Sequence, residues 1–269
     1  MKQNNYKVIE NTQLTPTTWR MKLEGDVSAV TAPGQFVNIK LDEHFLRRPI
    51  SVCDVEFYDG KADSGQPSGE GGKAGAVTII YKVLGQGTEE MTCLAPGACL
   101  DVLTGLGNGY DLSDAGEHPL LIGGGVGIPP LYLAAKRLIQ EPGVKDVTVI
   151  LGFNAADEIY YVDEFKALGC ELILASADGS MGVKGFVTDA FAGVSENGFT
   201  HFYTCGPEPM LKAVYGAVFM EAGISGQMSF EERMGCGFGA CMGCSCRTVT
   251  GYKRICRDGP VLRTEEILW

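Results

Sequence analysis

A run of interleaved cysteine and glycine near the C-terminus constrains this chain more than any other stretch: Met234-Gly235-Cys236-Gly237-Phe238-Gly239-Ala240-Cys241-Met242-Gly243-Cys244-Ser245-Cys246. Cys236, Cys241 and Cys244 are separated by four and then two residues, and Cys256 follows after eleven more. Spacing of the form C-x4-C-x2-C…C supplies four thiolates to the two irons of a 2Fe-2S cluster. The glycines have a matching reason. A loop wrapped around a compact inorganic core needs positive φ angles, and its N–H groups must approach sulfur closely. Gly235, Gly237, Gly239 and Gly243 are expected to permit both.

Two other uses of the cysteines fit less well. A structural zinc site prefers two C-x2-C pairs or a Cys/His mixture, and only one such pair of usual form stands here. A disulfide framework is the device of small chains, whereas 269 residues with 45% hydrophobic content can bury a core without staples. Cys246 falls outside the spacing and reads as a packed free cysteine, with an exchange of roles with Cys244 left open.

The formal charge of −11 offers no basic surplus for phosphates, which argues against nucleic acid and against anionic membrane surfaces. The first residues lack the apolar stretch of a signal peptide, and no apolar run approaches the length of a membrane span. Ten cysteines without an export signal point to a reducing compartment, and the cytoplasm is the expected location.

Up to about residue 110 the chain alternates short apolar, β-branched runs with turn residues, the pattern of an antiparallel barrel or sandwich. The one helical turn expected there is Thr88-Glu89-Glu90-Met91, with Thr88 as its cap. Asp59 to Gly75 is rich in glycine and polar residues and reads as a mobile hairpin tip. From residue 111 the rhythm changes. Strands at Pro119–Ile122, Val147–Gly152, Glu171–Ala175 and Thr200–Thr204 alternate with helices at Pro130–Gln140, Val162–Leu168, from about Thr188, and a long one at Glu208–Ala222. That alternation is the signature of a parallel α/β sheet. The expected units are therefore 1–110, 111–225 and 226–269.

The first parallel strand runs into Gly123-Gly124-Gly125-Val126-Gly127-Ile128-Pro129-Pro130. A glycine-rich turn opening a helix is an anion site, although a tight strand–helix turn without a ligand has the same composition. The fourth parallel strand ends in Cys205-Gly206-Pro207. Strand C-termini line the crevice of an open parallel sheet, so both turns should face one cleft. Cys205 itself is open to two readings, a packed core cysteine or a small group facing a ligand. No Ser/His/Asp or Cys/His triad is apparent. His44, His118 and His201 are scattered and read as packing or surface residues.

Arg47-Arg48-Pro49-Ile50-Ser51 and Gly85-Gln86-Gly87-Thr88, taken with the two glycine turns and the cysteine loop, make the whole chain resemble the ferredoxin-reductase superfamily. Within it, the chain resembles the electron-transfer subunits of B-type, NAD-dependent dihydroorotate dehydrogenases. The resemblance implies three parts: an antiparallel Greek-key β-barrel that binds FAD, a parallel α/β domain that binds NAD, and a small C-terminal 2Fe-2S domain. It places Arg48, Pro49, Ile50 and Ser51, with Ile80, Tyr81, Lys82, Gly87 and Thr88, at the FAD. It places Gly123, Gly124, Gly125, Gly127, Cys205, Gly206 and Pro207 at the NAD(H), and gives the cluster Cys236, Cys241, Cys244 and Cys256. It also implies a separate FMN-containing catalytic subunit that oxidises dihydroorotate, assembled as a heterotetramer. The other functions consistent with the sequence are an NAD(P)H:ferredoxin or sulfur-compound reductase subunit and a non-enzymatic redox or metal sensor.

Overall fold

The computed structural model describes residues 1–58 and 73–269. The first six strands are β1 (Lys2–Gln13), β2 (Thr18–Asp26), β3 (Phe36–Ile39), β4 (Arg48–Phe57), β5 (Ala74–Lys82) and β6 (Cys99–Leu106). They close into an antiparallel barrel in the order β1-β2-β5-β4-β3-β6. Alternation explains the closure. Tyr6 and Val8, Met21 and Leu23, Val77, Ile79 and Tyr81, and Leu100 and Val102 point inward at every second position and form one buried core. Of the expected mobile tip, Asp59 to Gly75, residues 59–72 lie outside the described residues, while Ala74 and Gly75 already belong to β5, where Gly75 pairs with Phe57 of β4.

Helix α1 (Gln86–Thr92) follows β5. Thr88 is not its cap, as the sequence suggested, but its third residue. The N-cap is Gly85, and the Thr88 hydroxyl accepts the N–H groups of Leu84 and Gly85 at 2.9 and 3.2 Å. The side chain thus satisfies the chain end from inside the first turn.

The second half contains β7 (Pro119–Gly124), α2 (Ile128–Leu138), β8 (Thr148–Phe153), α3 (Val162–Ala167), β9 (Glu171–Ser176), β10 (Val183–Lys184), α4 (Val187–Ala192), β11 (His201–Cys205) and α5 (Glu208–Val214). These strands are parallel. The long helix expected over Glu208–Ala222 is continuous but changes winding, becoming π-helical over Tyr215–Glu221. Two strands from beyond residue 225 complete the sheet: β12 (Gly226–Ser229), parallel to β11, and then β15 (Val261–Arg263), antiparallel to β12. Between them β13 (Ser245–Thr248) and β14 (Gly251–Arg254) form a separate hairpin. No helix among the described residues is long and apolar enough to cross a membrane.

The barrel and the sheet are joined through α2. A bulge between Val52 and Asp54 in β4 throws Cys53 and Asp54 outward. Cys53 and Ile80 pack with α2 residues Ile128, Leu131 and Ala135, while Leu133 of α2 belongs to the barrel core. Beside this seam Lys136 Nζ reaches both Asp54 oxygens at 2.8 and 3.0 Å, with only 14% of the Asp54 side chain exposed. Burial pushes the Asp54 carboxyl up, and Lys136 opposes it.

Lys136→Met is therefore expected to destabilise the protein by about 2 kcal/mol at neutral pH, less than the roughly 3–5 kcal/mol of breaking a fully buried pair because the lysine is partly solvated. Without the ammonium, the folded carboxyl titrates higher still above its unfolded value. A raised acid pKa costs stability as pH rises through that interval, so the deficit should be large at pH 8 and shrink towards pH 5. Urea unfolding of both proteins at the two pH values checks this, and a deficit independent of pH would contradict it.

Candidate cofactor sites

Four of the cysteines gather as two pairs. Cys236 and Cys241 lie beside each other near the surface, and Cys244 and Cys256 lie beside each other, both 2% exposed. The loop aims its N–H groups at sulfur. Ala240 N and Cys241 N donate to Cys236 Sγ at 3.2 and 3.4 Å, Cys236 N and Gly243 N donate to Cys241 Sγ at 3.5 Å each, and Cys256 N donates to Cys244 Sγ at 3.4 Å. Burial pushes the Cys236 thiol up, but those amides outweigh it and bring the thiol down to about 6. Burial and the adjacent Cys244 push Cys256 the other way. Among the described residues no three His, Cys, Asp or Glu side chains surround one metal-sized point. A two-iron cluster asks for two thiolates per iron, and two pairs of cysteines can supply them.

The glycines divide their work differently from expectation. Gly237 and Gly239 take φ of 77° and 91°, but the third left-handed position is Met242 at 62°. Gly235 and Gly243 serve proximity instead, since a Cβ there would stand 3.3 and 3.5 Å from Cys241 Sγ. Cys246 stands apart on β13 opposite Lys253, with its thiol pushed up by burial and by Glu232.

Arg48, Pro49, Ile50 and Ser51 are the first residues of β4 and pair with Ile39, Asn38, Val37 and Phe36 of β3. The ladder between β4 and β5 ends at Val52 and Ile79, so Ser51 and Ile80 flank its open end. Gly87 in α1 lies directly against the Arg48 guanidinium: a Cβ there would fall 2.0 Å from Arg48 Nε. Only glycine lets a cation lie along that turn, the arrangement suited to a phosphate partner. Thr88 shares that turn. Tyr81 points into the barrel and donates to Asn11 Oδ1 at 3.0 Å, and Lys82 Nζ stands 3.6 Å from Glu158 Oε1. The structure therefore brings Arg48, Ser51, Ile80, Gly87 and Thr88 to one barrel end and turns Tyr81 into the core.

Gly123 and Gly124 end β7, and Gly125 to Gly127 make a 3-10 turn into α2. Cys205 pairs with Gly123 on one side and Ser229 on the other. Gly127 sits on the Cys205 carbonyl, while Gly124 and Gly206 both pack on Met210. The two glycine turns thus form one surface at the C-terminal edge of the sheet, with Pro207 opening α5 beside them, and Gly125–Gly127 lies next to β5. Burial pushes the Cys205 thiol up to about 12, leaving it protonated.

Sequence reasoning missed the supports of this surface. Tyr160 donates to Gly125 O at 2.8 Å and holds the turn. Asn38, inside β3, donates to Cys236 O at 3.3 Å. An amide in the otherwise apolar run Phe36-Val37-Asn38-Ile39 is the signal that could have found the second.

Residues 231–268 match the model of the iron-sulfur cluster binding domain of dihydroorotate dehydrogenase B, and residues 121–215 match that of the oxidoreductase NAD-binding domain. The dihydroorotate dehydrogenase B (NAD(+)) electron transfer subunit of Fusobacterium nucleatum is 42% identical over 99% of both chains. The chain belongs to the family of dihydroorotate dehydrogenase B electron transfer subunits. Another member, from a Geobacillus species, is 38% identical over 100% of this chain and 99% of its own. Among solved structures, an NADH-dependent reduced ferredoxin-NADP oxidoreductase has a TM-score of 0.81 and 30% identity, covering 98% of this chain and 90% of that one. A ferredoxin reductase of carbazole 1,9a-dioxygenase shares the fold at a TM-score of 0.66 and 23% identity, covering 83% of this chain and 66% of that one.

Proposed function

We propose that the chain is the electron-transfer oxidoreductase subunit that links a dihydroorotate-oxidising, FMN-containing partner to NAD+ in pyrimidine biosynthesis, in a cytoplasmic heterotetramer. The observation that carries the reading is the joining of the two cofactor segments. The paired cysteines of the C-terminal loop abut β3, and β3 is hydrogen-bonded to the strand that begins Arg48-Pro49-Ile50-Ser51.

Nicotinamide exchanges electrons in pairs, an iron–sulfur cluster exchanges them singly, and a flavin does both. In this assignment Arg48 binds the FAD pyrophosphate beside Gly87 and Thr88. Pro49, Ile50, Ser51, Ile80 and Lys82 line the rest of that site, and Tyr81 supports it from the barrel core. Gly123, Gly124, Gly125 and Gly127 take the dinucleotide phosphates, while Cys205, Gly206 and Pro207 shape the nicotinamide end. Cys236, Cys241, Cys244 and Cys256 hold the cluster. The units are 1–110, 111–225 and 226–269, with β12 and β15 of the last one extending the sheet of the second. Protonated Cys205 offers no charge there.

Anaerobically purified protein should show flavin and iron–sulfur absorbance that NADH bleaches; a colourless preparation free of iron would reject the reading. The likeness to the reduced ferredoxin-NADP oxidoreductase supports a second reading, an NAD(P)H:ferredoxin or sulfur-compound reductase subunit. Co-purification with an FMN protein and NAD+-dependent dihydroorotate oxidation separates the first from it, because ferredoxin-linked turnover without such a partner supports only the second.

A further inference from the structure

Asn38 is 1% exposed between Val37 and Ile39, both fully buried, on a four-residue strand with no other polar side chain. Its backbone belongs to the flavin half of the molecule, since it pairs with Pro49 on β4 and Leu103 on β6. Arg47 Nη1 donates to the Asn38 carbonyl at 3.3 Å while pairing with Asp101. The side chain belongs to the cysteine loop. Nδ2 donates to the carbonyl of Cys236, and Gly237 packs so closely on the amide that a Cβ there would fall 2.3 Å from Nδ2.

The Cys236 carbonyl can only accept, so the amide nitrogen must face it, and Oδ1 faces the other way. That oxygen is buried with no donor among the described residues. An apolar side chain would occupy this place without the desolvation penalty. Packing alone therefore does not account for asparagine here. The geometry points to Asn38 as the positioning residue that fixes the first cysteine of the cluster loop to the strand pair of the flavin site. The inference rests on the assignment of Cys236 as a cluster ligand. Hydrogen bonds around the ligands set the potential and orientation of an iron–sulfur centre, so Asn38 should influence both.

The test uses the anaerobically purified full chain with three variants. Asn38→Ala removes the donor, Asn38→Asp sets a carboxylate against the Cys236 carbonyl, and Asn38→His keeps an N–H at about the same reach. The two readouts are the reduced cluster itself, by EPR spectrum and midpoint potential, and the rate at which NADH reduces it, with flavin content as the measure of an intact barrel. Asn38→Asp is expected to alter the EPR spectrum and move the potential downward. Asn38→Ala should slow NADH-driven cluster reduction by about tenfold, the population shift one neutral hydrogen bond sustains. Asn38→His should return both readouts towards wild type. If the wild type shows no cluster signal, the cofactor assignment falls and this inference with it. A wild-type signal that Asn38→Ala and Asn38→Asp leave unchanged overturns the inference alone, as does failure of Asn38→His to rescue either readout.

Discussion

Cys241→Ala is expected to abolish the iron–sulfur absorbance and EPR signal while leaving FAD bound and reducible by NADH. The sulfur of Cys241 lies at the surface, accepts the N–H groups of Cys236 and Gly243, and pairs with Cys236. Without it the outer pair is reduced to one thiolate, and one iron loses half its protein ligands. The barrel end with Arg48 and Gly87 is a separate set of contacts, which is why flavin should stay. Because Cys241 is exposed, the apoprotein should lose less than about 1 kcal/mol of stability, the range of surface substitutions. Cys244→Ala would add a cavity cost, since its side chain is packed in the same core as Ile255 and Leu262. Cys246→Ala is the informative control. It should keep the cluster, and a variant that loses it while Cys244→Ala keeps it would transfer the ligand role to Cys246.

The relative legibility of these regions follows from which interactions are local. Fixed spacing makes the cysteine loop readable, because the distance from Cys236 to Cys241 and Cys244 along the chain dictates where sulfur can reach. The barrel was readable from period-two burial such as Val77, Ile79 and Tyr81, and the parallel sheet from strand–helix alternation. What resisted was set by contacts remote in sequence. Thr88 looked like a cap until the structure showed Gly85 in that place with the hydroxyl folded back onto it. Lys136 and Asp54 are ordinary charges until a bulge in β4 turns one towards the other. The left-handed turn of Met242 was invisible because a non-glycine residue seldom adopts it. Asn38 needed Cys236, almost two hundred positions away, before its amide acquired a meaning.

Gly127→Ala is expected to remove NADH binding and to lower stability by about 3 kcal/mol, the upper range for overpacking where neither side can yield. A Cβ at Gly127 would stand 2.2 Å from the carbonyl oxygen of Cys205, 2.3 Å from its carbon and 2.5 Å from Gly206 N. All three atoms are backbone. Neither side gives way, for β11 is held between β7 and β12, while α2 is pinned to the barrel by Leu133 and Lys136. The strain must therefore open the place where the two glycine turns meet. At about 2–4 °C per kcal/mol for a chain approaching this size, melting should fall by about 6–12 °C. Flavin reduction by NADH should be lost, and reduction by dithionite, which needs no nucleotide site, retained. Gly125→Ala separates steric closeness from backbone strain. Gly125 has φ of 52° with nothing near its missing Cβ, so alanine there should cost only about 1–2 kcal/mol and leave measurable NADH reduction. Should Gly127→Ala melt with the wild type and turn over NADH normally, the close packing of the two turns would not be what shapes the nucleotide surface.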